Sequence, residues 1–62
     1  MTASDVVKRL HADGWQEVSQ KGSHKKFRHL TKPGNVTVPM HNGDIPKGTL
    51  SNIYRQAGWD KD

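Results

Sequence analysis

The stretch HKKFRHLTKPGNVTVPM, residues 24–40, decides the fold. Its second half, Asn35 to Met40, alternates Val36, Val38 and Met40 with polar or non-donating neighbours, the period-2 signature of a half-buried strand. Pro39 cannot donate to a β-ladder, so this strand belongs at an edge or carries a bulge. Thr31-Lys32-Pro33-Gly34 reads as a turn. The first half, residues 24–30, reads as a partner strand whose one large apolar side chain is Phe27, with Leu30 assigned to the turn. Side chains alternate across a strand. Phe27, Val36, Val38 and Met40 therefore face a core, and His24, Lys26, Arg28, Thr37 and His41 face the other way.

Outward from this pair, WQEVSQ (15–20) reads as a further strand joined through a Lys21-Gly22-Ser23 turn. Residues 3–13 read as a helix. Thr2 and Asp5 form a T-x-x-D capping pair, and Ala3, Val6, Val7 and Leu10 make one apolar stripe. After a loop, HNGDIP (41–46), a second helix is predicted from Lys47 to Ala57, with Leu50, Ile53, Tyr54 and Ala57 on one face. Each helix stops at a glycine followed by tryptophan (Gly14-Trp15 and Gly58-Trp59). That pattern points to an apolar residue packing back on the last helical turn. The order is α-β-β-β-α. Two amphipathic helices need one apolar sheet face to cover, so the expectation is an α+β fold: a three-stranded antiparallel sheet with two helices on one face. The 62 residues are read as a single domain, 1–62.

A four-residue connection, 31–34, predicts a register between the last two strands in which Phe27 opposes Val38 and His24 opposes His41. Directly opposed residues have Cβ atoms roughly 4.5–5.5 Å apart, so this pairing sets two imidazoles side by side.

The formal charge is +4, and its distribution says more than its size. No carboxylate occurs from Val18 to Gly43, a window that holds five of the ten cations and three of the four histidines. Such a gap is an electrostatic footprint for an anionic partner. No cysteine is present, and no apolar run approaches the ~18 residues of a membrane span. The first residues, MTASDVVKRL, carry an acid and lack an apolar signal core, so a cytoplasmic protein with no membrane association is expected.

In this setting His24 is the candidate for chemistry. Histidine exchanges a proton near neutral pH. Attack of an RNA 2′-hydroxyl on the neighbouring phosphate needs such an exchange, and surrounding Lys and Arg stabilise the charge that builds up. Lys21, Gly22, Ser23, Lys25, Lys26, Arg28 and, at a helix start, Lys47 are the candidate RNA contacts, with His41 a possible accessory. No metal and no other cofactor is expected. The carboxylates are too scattered for a two-metal site, and His24 and His29 point to opposite strand faces. Three function classes fit these residues: a metal-independent endoribonuclease, a non-enzymatic RNA-binding module using the same basic face, and a docking surface for an acidic protein.

Four segments in this order, LHADGW (10–15), QKGSHKKFRH (20–29), VTVPMH (36–41) and IPKGTLSNIYRQAGW (45–59), resemble the HicA toxins of bacterial HicAB toxin–antitoxin modules, also described as YcfA-like messenger-RNA interferases. The resemblance covers nearly the whole chain. It implies a fold like that of double-stranded-RNA-binding domains and a ribonuclease that cleaves mRNA. It implies one catalytic histidine after a Gly-Ser pair, here His24, with Gly22 on the glycine of the same motif. It also implies a HicB antitoxin that covers the site and, together with the toxin, represses operator DNA. A duplex-binding domain reads RNA by shape over roughly 16 bp, and this chain is short for that. Single-stranded or flexible RNA is the expected substrate.

Overall fold

The computed structural model describes residues 1–59. The elements run α1 (Ala3–Ala12), β1 (Trp15–Lys21), β2 (His24–His29), β3 (Asn35–Pro39) and α2 (Lys47–Ala57). They form an α+β fold whose antiparallel sheet has the order β1-β2-β3.

Local chemistry sets the ends of the helices as expected. The Thr2 hydroxyl accepts from the Asp5 amide (3.2 Å), and the Asp5 carboxylate accepts from the Thr2 amide (3.1 Å), closing a capping box. Gly58 ends α2 in the left-handed region, and the Trp59 amide then donates back to the Tyr54 carbonyl (2.9 Å). Both helices cover the same sheet face. Val6 and Leu10 of α1 and Ile53 and Ala57 of α2 close over Trp15, Phe27, Val36 and Val38, with Ala3 and Ile45 completing the core. Ile45 lies in the loop before α2, outside any periodic stripe. It is drawn in by its amide, which donates to the Met1 carbonyl (2.8 Å).

A latch ties the helix ends to the β2–β3 connection. One oxygen of Asp13, Oδ2, accepts from Lys32 Nζ (2.6 Å), Trp15 Nε1 (3.0 Å) and Trp59 Nε1 (3.0 Å). Lys32 Nζ also donates to the Ala57 carbonyl at the end of α2 (3.1 Å). The three donors hold the Asp13 carboxyl down at about 2; Lys32 contributes most, then Trp59, with Trp15 adding to them. The two tryptophans after glycine are thus structural, and each spends its indole N–H on the same aspartate. His29 completes the latch. Its Nδ1 accepts the Thr31 and Lys32 amides (3.0 and 3.2 Å), which leaves Nε2 to donate to the Asp13 carbonyl (2.7 Å).

Two corrections to the sequence reading arise here. β3 pairs with β2 through His24–Pro39, Lys26–Thr37, Phe27–Val36 and Arg28–Asn35. Phe27 therefore opposes Val36, not Val38, and Pro39, not His41, lies opposite His24. The faces are unchanged, because the slip is two residues. Its cause is the latch. With the Thr31 and Lys32 amides turned onto His29, the chain needs six residues, 29–34, between the last pair of β2 and β3 instead of a four-residue turn. His41 consequently falls past the end of β3, exposed, its Nδ1 3.2 Å from the Asn42 carbonyl.

Candidate functional site

The site is the uncovered face of the sheet. A β-bulge in β1 shapes it: Glu17 pairs with Phe27, but Ser19 pairs with Lys26, so Val18 is the extra residue. Strict alternation from the buried Trp15 would send Ser19 and Lys21 toward the helices. The bulge transfers both to the open face, opposite Lys26 and His24. Across the three strands this face carries ordered rows: Lys21–His24–Pro39, then Ser19–Lys26–Thr37, then Gln16–Arg28–Asn35. None of these nine residues is acidic.

Ser19, Lys21, His24, Lys26 and Thr37 line a shallow depression of about 470 Å³. His24 is exposed within it. Its position is set by the two-residue loop Gly22-Ser23. Gly22 has φ +59°, the positive value that the first loop position of a tight type II′ hairpin demands. At the other side of β2, the Met40 amide donates to the Ser23 carbonyl, carrying the β2–β3 ladder up to the turn.

The remaining sequence candidates separate by position. Arg28 lies on the open face one row beyond the depression. Lys25 shares the face of Phe27 instead, where its Nζ lies 3.3 Å from the Glu17 carboxylate. It is taken out of the cationic cluster by an acid that the linear charge count places outside the acid-free window. Lys47 opens α2, exposed, and does not line the depression. His41 sits by the α1 N-terminus in a separate shallow recess with Thr2, Ser4, Asn42 and Gly43. Ser19 was missed by sequence reasoning, because the bulge that turns it to the open face leaves no mark in the residues of β1. Thr37 was assigned to the open face without a role.

Among the described residues no three His, Cys, Asp or Glu side chains gather as metal ligands, and no helix is long and apolar enough to cross a membrane. What the depression offers is one imidazole, two ammonium groups and two hydroxyls.

Comparison with solved structures finds a similar chain in a toxin–antitoxin complex. A chain of a toxin–antitoxin complex from Streptococcus pneumoniae superposes with a TM-score of 0.77 at 36% identity, over 94% of this chain and 97% of that one. A family model described as the HicA toxin of bacterial toxin–antitoxin systems matches residues 3–59, and the chain belongs to that family. None of the curated proteins compared matches it.

Proposed function

We propose that this toxin is a metal-independent endoribonuclease that cuts mRNA through His24. The observation that carries the reading is the exposed imidazole set between Lys21 and Lys26 in a depression whose lining has no carboxylate. In the reaction, the 2′-oxygen bonds to the adjacent phosphorus and the bond to the 5′-oxygen breaks. The products are a 2′,3′-cyclic phosphate and a 5′-hydroxyl. A proton must leave the 2′-hydroxyl and another must reach the departing 5′-oxygen, and His24 serves one of these transfers. Lys21, directly opposite His24, stabilises the extra negative charge on the phosphoryl oxygens, a task in which a preorganised cation is worth a few kcal/mol, and Lys26 holds the strand beside it. Arg28 holds the strand further along, and Gly22 and Ser23 supply the turn that presents the histidine. The need for a 2′-hydroxyl restricts the substrate to RNA. The flat, open face suits single-stranded RNA.

An antitoxin of the HicB type is the proposed partner. The structural neighbour comes from a toxin–antitoxin complex, and the carboxylate-free face suits an acidic protein that occupies the place of the RNA. Any contact with operator DNA would be made through that complex.

Incubating the purified protein with RNA in EDTA tests the reading. Cleavage that leaves cyclic-phosphate ends is the expected result. Binding without cleavage would instead make the chain an RNA-binding module.

A further inference from the structure

The middle row of the open face has no part in the proton transfers at His24. Ser19 stands opposite Lys26 on one side, and Thr37 stands opposite it on the other. All three line the depression beside His24. Neighbouring strands are about 4.8 Å apart, so Lys26 rises from the sheet between the two hydroxyl-bearing residues. Residues of one face recur along a strand every ~6.7 Å, a step on the scale of one nucleotide of an extended chain.

We infer that Ser19, Lys26 and Thr37 form a second phosphate subsite, which grips the phosphodiester next to the one cleaved at His24. The chemistry of the row selects the ligand. A phosphodiester only accepts hydrogen bonds, and here one cation and two hydroxyls share one row and one depression, the side-chain types that nucleic-acid-binding proteins turn on phosphates. A base edge would not need the cation, and a ribose would not need three donors. The bulge at Val18 supports the assignment, because it places Ser19 in this row. Arg28, one step further along β2, continues the same line. RNA would thus lie along β2, phosphate by phosphate.

The subsite rests on the ribonuclease reading for its substrate, but binding alone tests it. The probes are 2′-O-methyl oligonucleotides, which lack the attacking hydroxyl: a dinucleotide with one phosphodiester and a trinucleotide with two. Affinities are measured for the wild type and for the double variant S19A/T37V, both exposed positions whose folding is checked by circular dichroism.

The wild type should bind the trinucleotide about tenfold more tightly than the dinucleotide. Its salt slope should be steeper by roughly 0.7, the counterion release of one further single-strand phosphate. In the double variant the tenfold gain should fall to about twofold. A wild type with no gain, or a gain that survives in the variant, overturns the subsite. Cleavage of unmodified RNA is scored separately. The predicted gain in a protein that cuts no RNA would uphold the subsite and remove the ribonuclease reading. Cleavage without the gain would do the reverse.

Discussion

Lys21 and His24 lie directly opposite each other across the two-residue loop Gly22-Ser23, on the face that the helices leave open. Two local devices produce this pairing. The bulge at Val18 turns Lys21 to that face, and the positive φ of Gly22 closes the hairpin tightly enough to set the two side chains abreast. Both concern backbone geometry, and both bear on chemistry.

The first prediction separates two glycines. A Cβ at Gly22 would meet nothing within 4 Å, so the cost of Gly22→Ala is the left-handed backbone alone, about 1 kcal/mol. At Gly14, φ is +95° and a Cβ would come within 2.9 Å of His29 Nε2. Gly14→Ala therefore strains the backbone and also breaks the latch, for about 3 kcal/mol. Urea denaturation should rank the midpoints wild type, then Gly22→Ala, then Gly14→Ala. Equal midpoints for the two variants would contradict the role given to His29.

Asp13 governs acid stability. Its carboxyl is held at about 2, below the ~3.9 of an unfolded chain. The folded value is the depressed one, so the contribution is complete above about pH 4 and is lost as the pH falls toward 2. Asp13 is partly exposed, so the amount is on the order of 1 kcal/mol after screening. Asp13→Asn should flatten the stability profile between pH 4 and 2, read by thermal melts at stepped pH. Asp13→Ala, which strands three donors, should cost about 2 kcal/mol at neutral pH.

Neighbouring lysines should behave differently. Lys26 faces the depression, whereas Lys25 pairs with Glu17 on the other face. Lys26→Gln should weaken RNA binding about tenfold at low salt and reduce the salt slope. Lys25→Gln should change binding less than twofold, since an isolated surface ion pair is worth under about 1 kcal/mol. Fluorescence anisotropy with a short single-stranded RNA distinguishes the two.

Much of the architecture was legible in the residues. The alternation of Val36, Val38 and Met40, the position of Phe27 and the two glycine-tryptophan stops imply the element order and the buried face. Pro39 correctly marks β3 as an edge, whose Thr37 amide is met by the Gln56 side chain at 3.2 Å. The β2–β3 register was not legible, because it depends on His29 reaching a carbonyl sixteen residues away, at Asp13. No local turn rule contains that contact. The β1 bulge escaped for a similar reason. Nothing in WQEVSQK marks Val18 as the extra residue, so the placing of Ser19 and Lys21 beside Lys26 and His24 became visible only in three dimensions. His24 itself was legible because facing depends on parity, and a two-residue slip preserves parity.

The central claim is that an exposed imidazole performs the chemistry and contributes nothing to the fold. The most direct test compares wild type with His24→Ala in one RNA cleavage assay containing EDTA, with the unfolding midpoint of each protein measured alongside. The variant should match the wild-type stability within about 0.5 kcal/mol and lose cleavage by a factor of about 100 or more. A stably folded His24→Ala protein that cuts RNA at the wild-type rate would contradict the account.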